Sequence, residues 1–326
     1  MKLKFFAARL SGVLLAVVTS TAAPLVAQHL TLEGQTGGFL TPTAYVVYTE
    51  KGQLLSHPAV GYHFIGASKV IGNVQTFSIA EGFANRAEVG YTRSVHLLGQ
   101  DTSTANGAFS QLWNYDGMNI FSGKVVLLKD GEKCKYAPGV AIGGLVRTSD
   151  HFVSGHLNKE LGLGSDTGYT NGDVYVAVTK TWLKPPVPLL VNIGWKASNA
   201  VLFGLGGQST RFGGRFFGGL GFPLPGPKKT AIVPSVGFTQ EPKTAVNMKY
   251  IMPGGVHIPT TMDYAVRITQ AEHPHFSYDI GVGQVAGNIG TAVLPTGLPS
   301  PYPATVSMPV NLQARKVLGM GLSYRY

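Results

Sequence analysis

The last nine residues limit the possible folds of this chain more than any other stretch. Leu318, Met320, Leu322, Tyr324 and Tyr326 take every second position, with Gly319, Gly321, Ser323 and Arg325 between them. Successive side chains of a strand point to opposite faces, so one face here is wholly apolar and ends in two aromatics. The other face carries small residues and one charge. A soluble sheet over a core can alternate in the same way. Here the pattern runs to the final residue, where soluble domains ordinarily fray into polar residues.

Composition narrows the choice. Charged residues are 13% of the 326, against roughly 25% in ordinary soluble domains. Glycine, at 43 residues, is about twice its usual share, yet mean hydropathy is only +0.13. Such a balance suits strands that are apolar on one side only, and does not suit a helical membrane protein. A hydrophobic content of 44% argues against disorder.

The other end of the chain reads as an export signal. Lys2, Lys4 and Arg9 precede the apolar run Leu10 to Val18, and small residues lead to Leu25-Val26-Ala27. This is the form of a cleaved signal peptide over residues 1–27. An N-terminal anchor is the rival, but its apolar core is short of the roughly 20 residues a spanning helix needs. Without the three basic residues of the leader the formal charge falls from +10 to +7. No basic helix or zinc pattern accompanies that charge, so nucleic acid is not an expected partner. Lipopolysaccharide phosphates or an anionic solute fit it better. Cys134 is the sole cysteine, which excludes an intramolecular disulfide and a cysteine metal cluster.

An exported chain with a strand of this kind resembles the bacterial outer-membrane β-barrels. The resemblance implies that Leu318, Met320, Leu322, Tyr324 and Tyr326 form the signal read by the barrel assembly machinery. It also implies that the last strand zips against the first. Runs of about ten alternating residues separated by turn residues occur near 54–65, 69–80, 86–97, 118–129, 137–148, 172–182, 188–197, 212–222, 229–239, 261–270, 275–285 and 314–326. The connections 98–117, 149–171, 198–211, 240–260 and 286–313 are long, and those between them are short. The expected fold is all-β: a single antiparallel transmembrane barrel of about 12 strands (10–14), with short periplasmic turns and longer external loops. Residues 28–52 form an N-terminal periplasmic or plug segment in this reading, and 53–326 the barrel.

Thr36-Gly37-Gly38-Phe39-Leu40-Thr41-Pro42-Thr43-Ala44, then Lys51-Gly52-Gln53-Leu54 and Asn85-Arg86-Ala87-Glu88-Val89-Gly90-Tyr91-Thr92, resemble the opening of YjbH-like, exopolysaccharide-associated outer-membrane barrels. That resemblance covers about 60 residues and implies a barrel, with a link to polysaccharide or small-solute export.

Chemistry leaves a fainter mark. His273 and His275 flank Pro274, and His151 and His156 share a stretch, without an acid and third ligand at metal-binding spacing. No metal, cofactor or enzyme activity is expected; a serine hydrolase would need Ser, His and an acid converging in space. If the apolar registers meet lipid, the lumen is lined by Glu88, Lys180, Lys196, Asp263, Arg267, Asp279 and Arg325, in which base exceeds acid. Anion preference follows if the barrel conducts. The function expected is a narrow passive or gated conduit. The alternatives are a non-conducting structural or adhesion barrel acting through external loops and, behind it, an outer-membrane hydrolase.

Overall fold

The structure is a computed structural model that describes residues 29–69, 71–97, 117–150, 170–183, 188–205, 208–242, 253–255, 257–270, 275–297, 301 and 303–326. The proposed leader 1–27, His151, His156, His273 and Pro274 lie outside these residues.

Among the described residues fifteen strands are formed. They are β1 (Ala59–Ser68), β2 (Gly72–Phe83), β3 (Ala87–Leu97), β4 (Gly117–Leu128), β5 (Gly139–Ser149), β6 (Thr170–Trp182), β7 (Leu189–Ala200), β8 (Gln208–Gly221), β9 (Leu224–Pro225), β10 (Thr230–Thr239), β11 (Thr261–Gln270), β12 (Phe276–Gln284), β13 (Ala286–Pro295), β14 (Thr305–Ala314) and β15 (Val317–Arg325). Twelve of them close a ring of antiparallel neighbours: β1 to β8, then β10, β11, β12 and β15, which returns to β1. The seam is in regular register from Ala59 opposite Arg325 to Gly66 opposite Leu318. With every strand paired on both sides, the wall has no open edge.

Alternation explains which side chains face out. Phe77, Phe121, Val174, Ile193, Phe216 and Val282 share the outer register and are half exposed. Glu81, Arg93 and Lys180 are the only charged residues on that register among the described strands. Arg93 holds Asp150 in a two-point ion pair at the end carrying the long connections, called the loop end below. The turn end carries the short connections and the last residue.

Two expectations about connections are corrected. Residues 198–211 were expected as a long loop, but β7 and β8 run further than their apolar alternation, leaving 201–207. Residues 286–313 are not a simple loop either: β13 and β14 pair as a separate hairpin. Its Ile289, Val310 and Leu312 join Ile71, Leu202, Leu205 and Ile258 in one apolar cluster at the loop end. The hairpin thus covers that mouth.

Candidate functional site

His29 to Thr49 lie inside the ring of strands and fill much of it. Their fold is local and tight. Thr31 N–H donates to Gln35 O at 2.7 Å and Gly34 N–H to Thr31 O at 2.8 Å. Thr31 Oγ1 also receives the amides of Glu33 and Gln35. At the tip Gly34 has φ of +81°, and a Cβ there would sit 2.0 Å from Thr92 Oγ1 on the wall. Backbone conformation and space both demand glycine. From this tip the segment turns back, with Gly37 bridged to Pro42, and descends to the turn end. There Thr49 exchanges hydrogen bonds with Asn85, a turn residue with φ of +53°.

Charges fasten the segment to the wall at three heights. Near the loop end the Glu33 carboxylate accepts from Arg147 Nε at 2.6 Å, and Arg147 donates on to Asp173 at 2.7 Å. At mid-height Glu88 accepts from the amides of Thr36 at 2.9 Å and Val47 at 2.8 Å, and from the Thr36 hydroxyl. Lys124 beside it donates to the carbonyls of Thr36 at 2.9 Å and Thr43 at 3.2 Å, and lies 3.4 Å from Glu88. Opposite, Asp279 binds Arg267 by two contacts and His29 Nε2 at 2.8 Å, while Arg267 also donates to Gly37 O. Tyr45 bonds Asp130 at the turn end; burial pushes its phenol well above the ordinary range, so it stays a neutral donor.

His29 has a second set of partners. Its Nδ1 is 3.1 Å from Ser277 Oγ and 3.3 Å from Ser323 Oγ, and its ring meets that of His63 edge-on at 5.3 Å. Ser277, His29 and Asp279 therefore form a hydroxyl–imidazole–carboxylate chain. In a cleft such a chain serves nucleophilic catalysis. Here Ser277 is 2% exposed, His29 0% and Asp279 1%. The arrangement is an anchor, tying His29 to β12 and β15.

The candidate lumen residues divide as follows. Glu88, Lys196, Asp263, Arg267, Asp279 and Arg325 share the inward register and are buried. Arg267 and Asp279 stand directly opposite each other, as the short connection between β11 and β12 requires. Lys180 is a correction. It pairs with Val191 and shares parity with Val174, Val176 and Val178, so it belongs to the outer register. The β4–β5 turn folds over it and supplies Asp130 Oδ1 at 2.6 Å and Lys135 O at 2.7 Å. It therefore does not pair with Lys196, which lies nearer the loop end and meets Glu241 at 3.3 Å. Arg325 closes on the inserted segment through Tyr48 O and the Tyr48 ring. The expected excess of base in the lumen is a second correction: Glu33, Asp173 and Glu241 offset Lys124, Arg147 and Lys196. The terminal set Leu318, Met320, Leu322 and Tyr324 faces outward, and Tyr324 packs edge-on against Tyr326. His275 gives its ring to Arg325 O at 2.9 Å, a turn-end contact.

Inward apolar side chains fill further space. Tyr175 and Phe217 meet edge-on at 6.0 Å. A Cβ at Gly194 would lie 2.1 Å from the Phe217 ring, so only glycine admits that ring. Gln35 of the inserted segment donates to Tyr175 OH. The gaps left between segment and wall include one of about 440 Å³ beside Tyr45, Tyr48 and Lys129 at the turn end, and two of about 60 Å³ each. Of the two smaller ones, one lies toward the loop end and is apolar; the other is bordered by Gly219, Gly221 and Gly237.

A family model described as "Protein of unknown function (DUF3034)" matches residues 27–215, more than half of the chain. That span includes the opening motif at 36–44, and the YjbH-like resemblance gains no support from it. No curated protein matches the chain. Among solved structures, the KdgM porin is similar at 8% identity and a TM-score of 0.43, covering 82% of this chain and 99% of that one. The NanC porin is similar at 11% identity and 0.42, covering 82% and 100%. Omp33 of Acinetobacter baumannii is similar at 7% identity and 0.38, covering 84% and 99%.

Proposed function

The chain belongs to the DUF3034 family of proteins of unknown function, and on that premise we propose that it is an outer-membrane conduit kept shut by its own N-terminal segment. The half-exposed apolar belt around the wall supports the membrane setting, since such a belt in water would be costly and in lipid is required. In that setting the turn end faces the periplasm and the loop end the exterior. Residues 1–27 then act as the export leader, 28–52 as the plug and 53–326 as the barrel with its external hairpin. The assembly machinery and lipopolysaccharide are its partners.

The observation that carries this reading is the way the inserted segment is held. Twelve strands enclose more room than wall side chains alone fill. The occupant is a removable piece of chain, tethered to the barrel only through residues 50–58. It is fixed by Glu88, Lys124, Arg147, Arg267 and Asp279, with small apolar clusters such as Ala44 and Val46 on Val126 and Ala141 beside them. Removing one member of a buried pair costs about 3–5 kcal/mol, so each fastening is strong singly and labile to anything that competes for the charge. With the segment in place the gaps pass water and small ions at most; with it withdrawn the lumen admits small polar solutes. Polysaccharide export, implied only by the resemblance of residues 36–44, 51–54 and 85–92, requires full withdrawal.

One observation favours a second reading. Hairpin β13–β14 caps the loop end, as expected of a permanently closed barrel that acts through its outer surface. Planar-bilayer recording separates the two. The full chain is expected to stay closed with rare openings. A chain lacking residues 29–49, and Glu88→Gln combined with Arg147→Gln, are expected to show sustained conductance. Silence from both variants, each with the circular dichroism and heat-modifiable migration of a folded barrel, would establish the closed barrel instead.

A further inference from the structure

The loop-end cavity is bordered by two polar side chains, each with an atom that has no hydrogen-bond partner among the described residues. Leu32, Phe39 and Leu40 of the inserted segment form one side, and Leu202 and Leu205 close it above. The polar side chains that reach it come from consecutive inward positions of β11, Thr261 and Asp263. Both are buried, at 0% and 6% exposure. Thr261 Oγ1 and Asp263 Oδ1 have no hydrogen-bond partner among the described residues. Other inward carboxylates of the wall each hold a base, Glu88 with Lys124, Asp173 with Arg147 through Oδ2 and Asp279 with Arg267, although Asp173 Oδ1 also lacks a partner among the described residues. Arg267, one inward position beyond Ala265, is committed to Asp279 and Gly37 O. Asp263 borders the second cavity as well, where it crowds Gly237: a Cβ at Gly237 would lie 2.4 Å from its Oδ1.

We propose that this cavity is a binding site for a small amphiphilic cation, with its apolar body among Leu32, Phe39, Leu40 and Leu202 and its ammonium on Asp263. A buried carboxylate without a donor is costly, and so is an unpaired hydroxyl. A ligand ammonium has three N–H donors, enough to serve both oxygens at once. An alkyl chain would take up the apolar part, where no polar group of the wall competes. An alkyl carboxylate of the same length would set like charge against Asp263, and an alcohol would supply only one donor. The cavity measures about 60 Å³ by the centres of water-sized spheres, where one water needs about 10–15 Å³, so a short alkyl chain fits and a lipid tail does not. One side of the site is the inserted segment itself, so an occupied cavity props that segment in place. The site stands whether or not the barrel conducts.

Isothermal titration of the folded full chain in detergent with n-hexylamine, n-hexanol and hexanoate at pH 7.5 tests this. Saturable binding is expected for hexylamine, weaker binding for hexanol and none for hexanoate. Asp263→Asn is expected to lower hexylamine affinity about tenfold or more while leaving hexanol nearly unchanged. Ala265→Leu, which fills the cavity from the wall, is expected to abolish both. Equal binding of hexylamine and hexanoate, an Asp263→Asn chain that keeps the full preference for amine, or no saturable binding of any of the three would overturn the assignment. Circular dichroism of each variant keeps a folding failure from passing as a binding result.

Discussion

At the scale of the residue, His29 shows how burial and charge set a condition on the whole segment. Burial first, then the neighbouring Arg267 guanidinium, lower its pKa below the ordinary value, and Asp279 only partly opposes them. His63 on β1, Asp279 and Ser277 on β12, Arg267 on β11 and Ser323 on β15 all face it. The folded protein therefore keeps His29 neutral where the unfolded chain, with a pKa of about 6.5, begins to take up a proton. A group lowered in this way stabilises fully above the unfolded pKa, and that contribution is lost as pH falls through about 6.5 toward the folded value. The protection factors of the Thr31, Leu32 and Gly37 amides, with the intrinsic pH dependence of exchange divided out, are expected to fall between pH 7.5 and pH 5. His29→Gln should flatten that dependence. An unchanged profile in the variant would put the titrating group elsewhere.

At the scale of the element, a strand in this wall tolerates charge on one face and not on the other. Ile193 lies mid-strand on β7 and is 55% exposed. Its neighbour Asn192 is buried and donates to Pro42 O of the inserted segment. Ile193→Arg is expected to cost roughly 2–4 kcal/mol in a lipid-refolding titration, the depth-dependent penalty at the bilayer midplane. The twelve wall strands were legible because period-two alternation is a local signal that needs no partner. Lys124 could have been assigned inward from Phe121, Val125 and Leu127 on the opposite register, although Met118, Ile120 and Val126 make the inner face of β4 apolar too. Arg147 and Asp173 were not legible. Gly143 and Gly144 blur the alternation of β5, and Val174 to Val178 on β6 are apolar on both faces because Tyr175 meets Gln35 of the inserted segment and Ala177 is buried in an apolar cluster. That segment has no period at all. Its path is set by hydrogen bonds to side chains more than a hundred residues away, such as Ala44 N–H to Thr179. Only its turn residues, Gly34, Gly37 and Pro42, hinted at a compact excursion.

At the scale of the whole molecule, the ring is closed by one pair of strands, β1 with β15. A chain lacking residues 317–326 leaves β1 and β12 each with an open edge, and open edges are not tolerated in lipid. Such a chain is expected to lose the heat-modifiable, compact migration of a folded barrel on refolding into lipid, whereas removal of 29–49 should not abolish it. Retention of that migration without β15 would show that the wall can close through other strands. The charge balance of the interior is likewise a property of the whole, since Glu33 and Glu241 reach the lumen from outside the wall strands.

The seam has one further consequence, concerning the order of events in biogenesis. Pairing Ala59 with Arg325 joins the most distant parts of the barrel, and the entropy of closing so long a loop opposes it. The inserted segment touches both sides of this junction. His29 meets His63 on β1 and Ser277 on β12, and Leu30 N–H donates to Ser323 on β15 at 3.2 Å. Residues that precede every wall strand in the chain thus hold the first strand and stand at the place where the last must arrive. The segment that fills the finished lumen is also a template around which the cylinder closes.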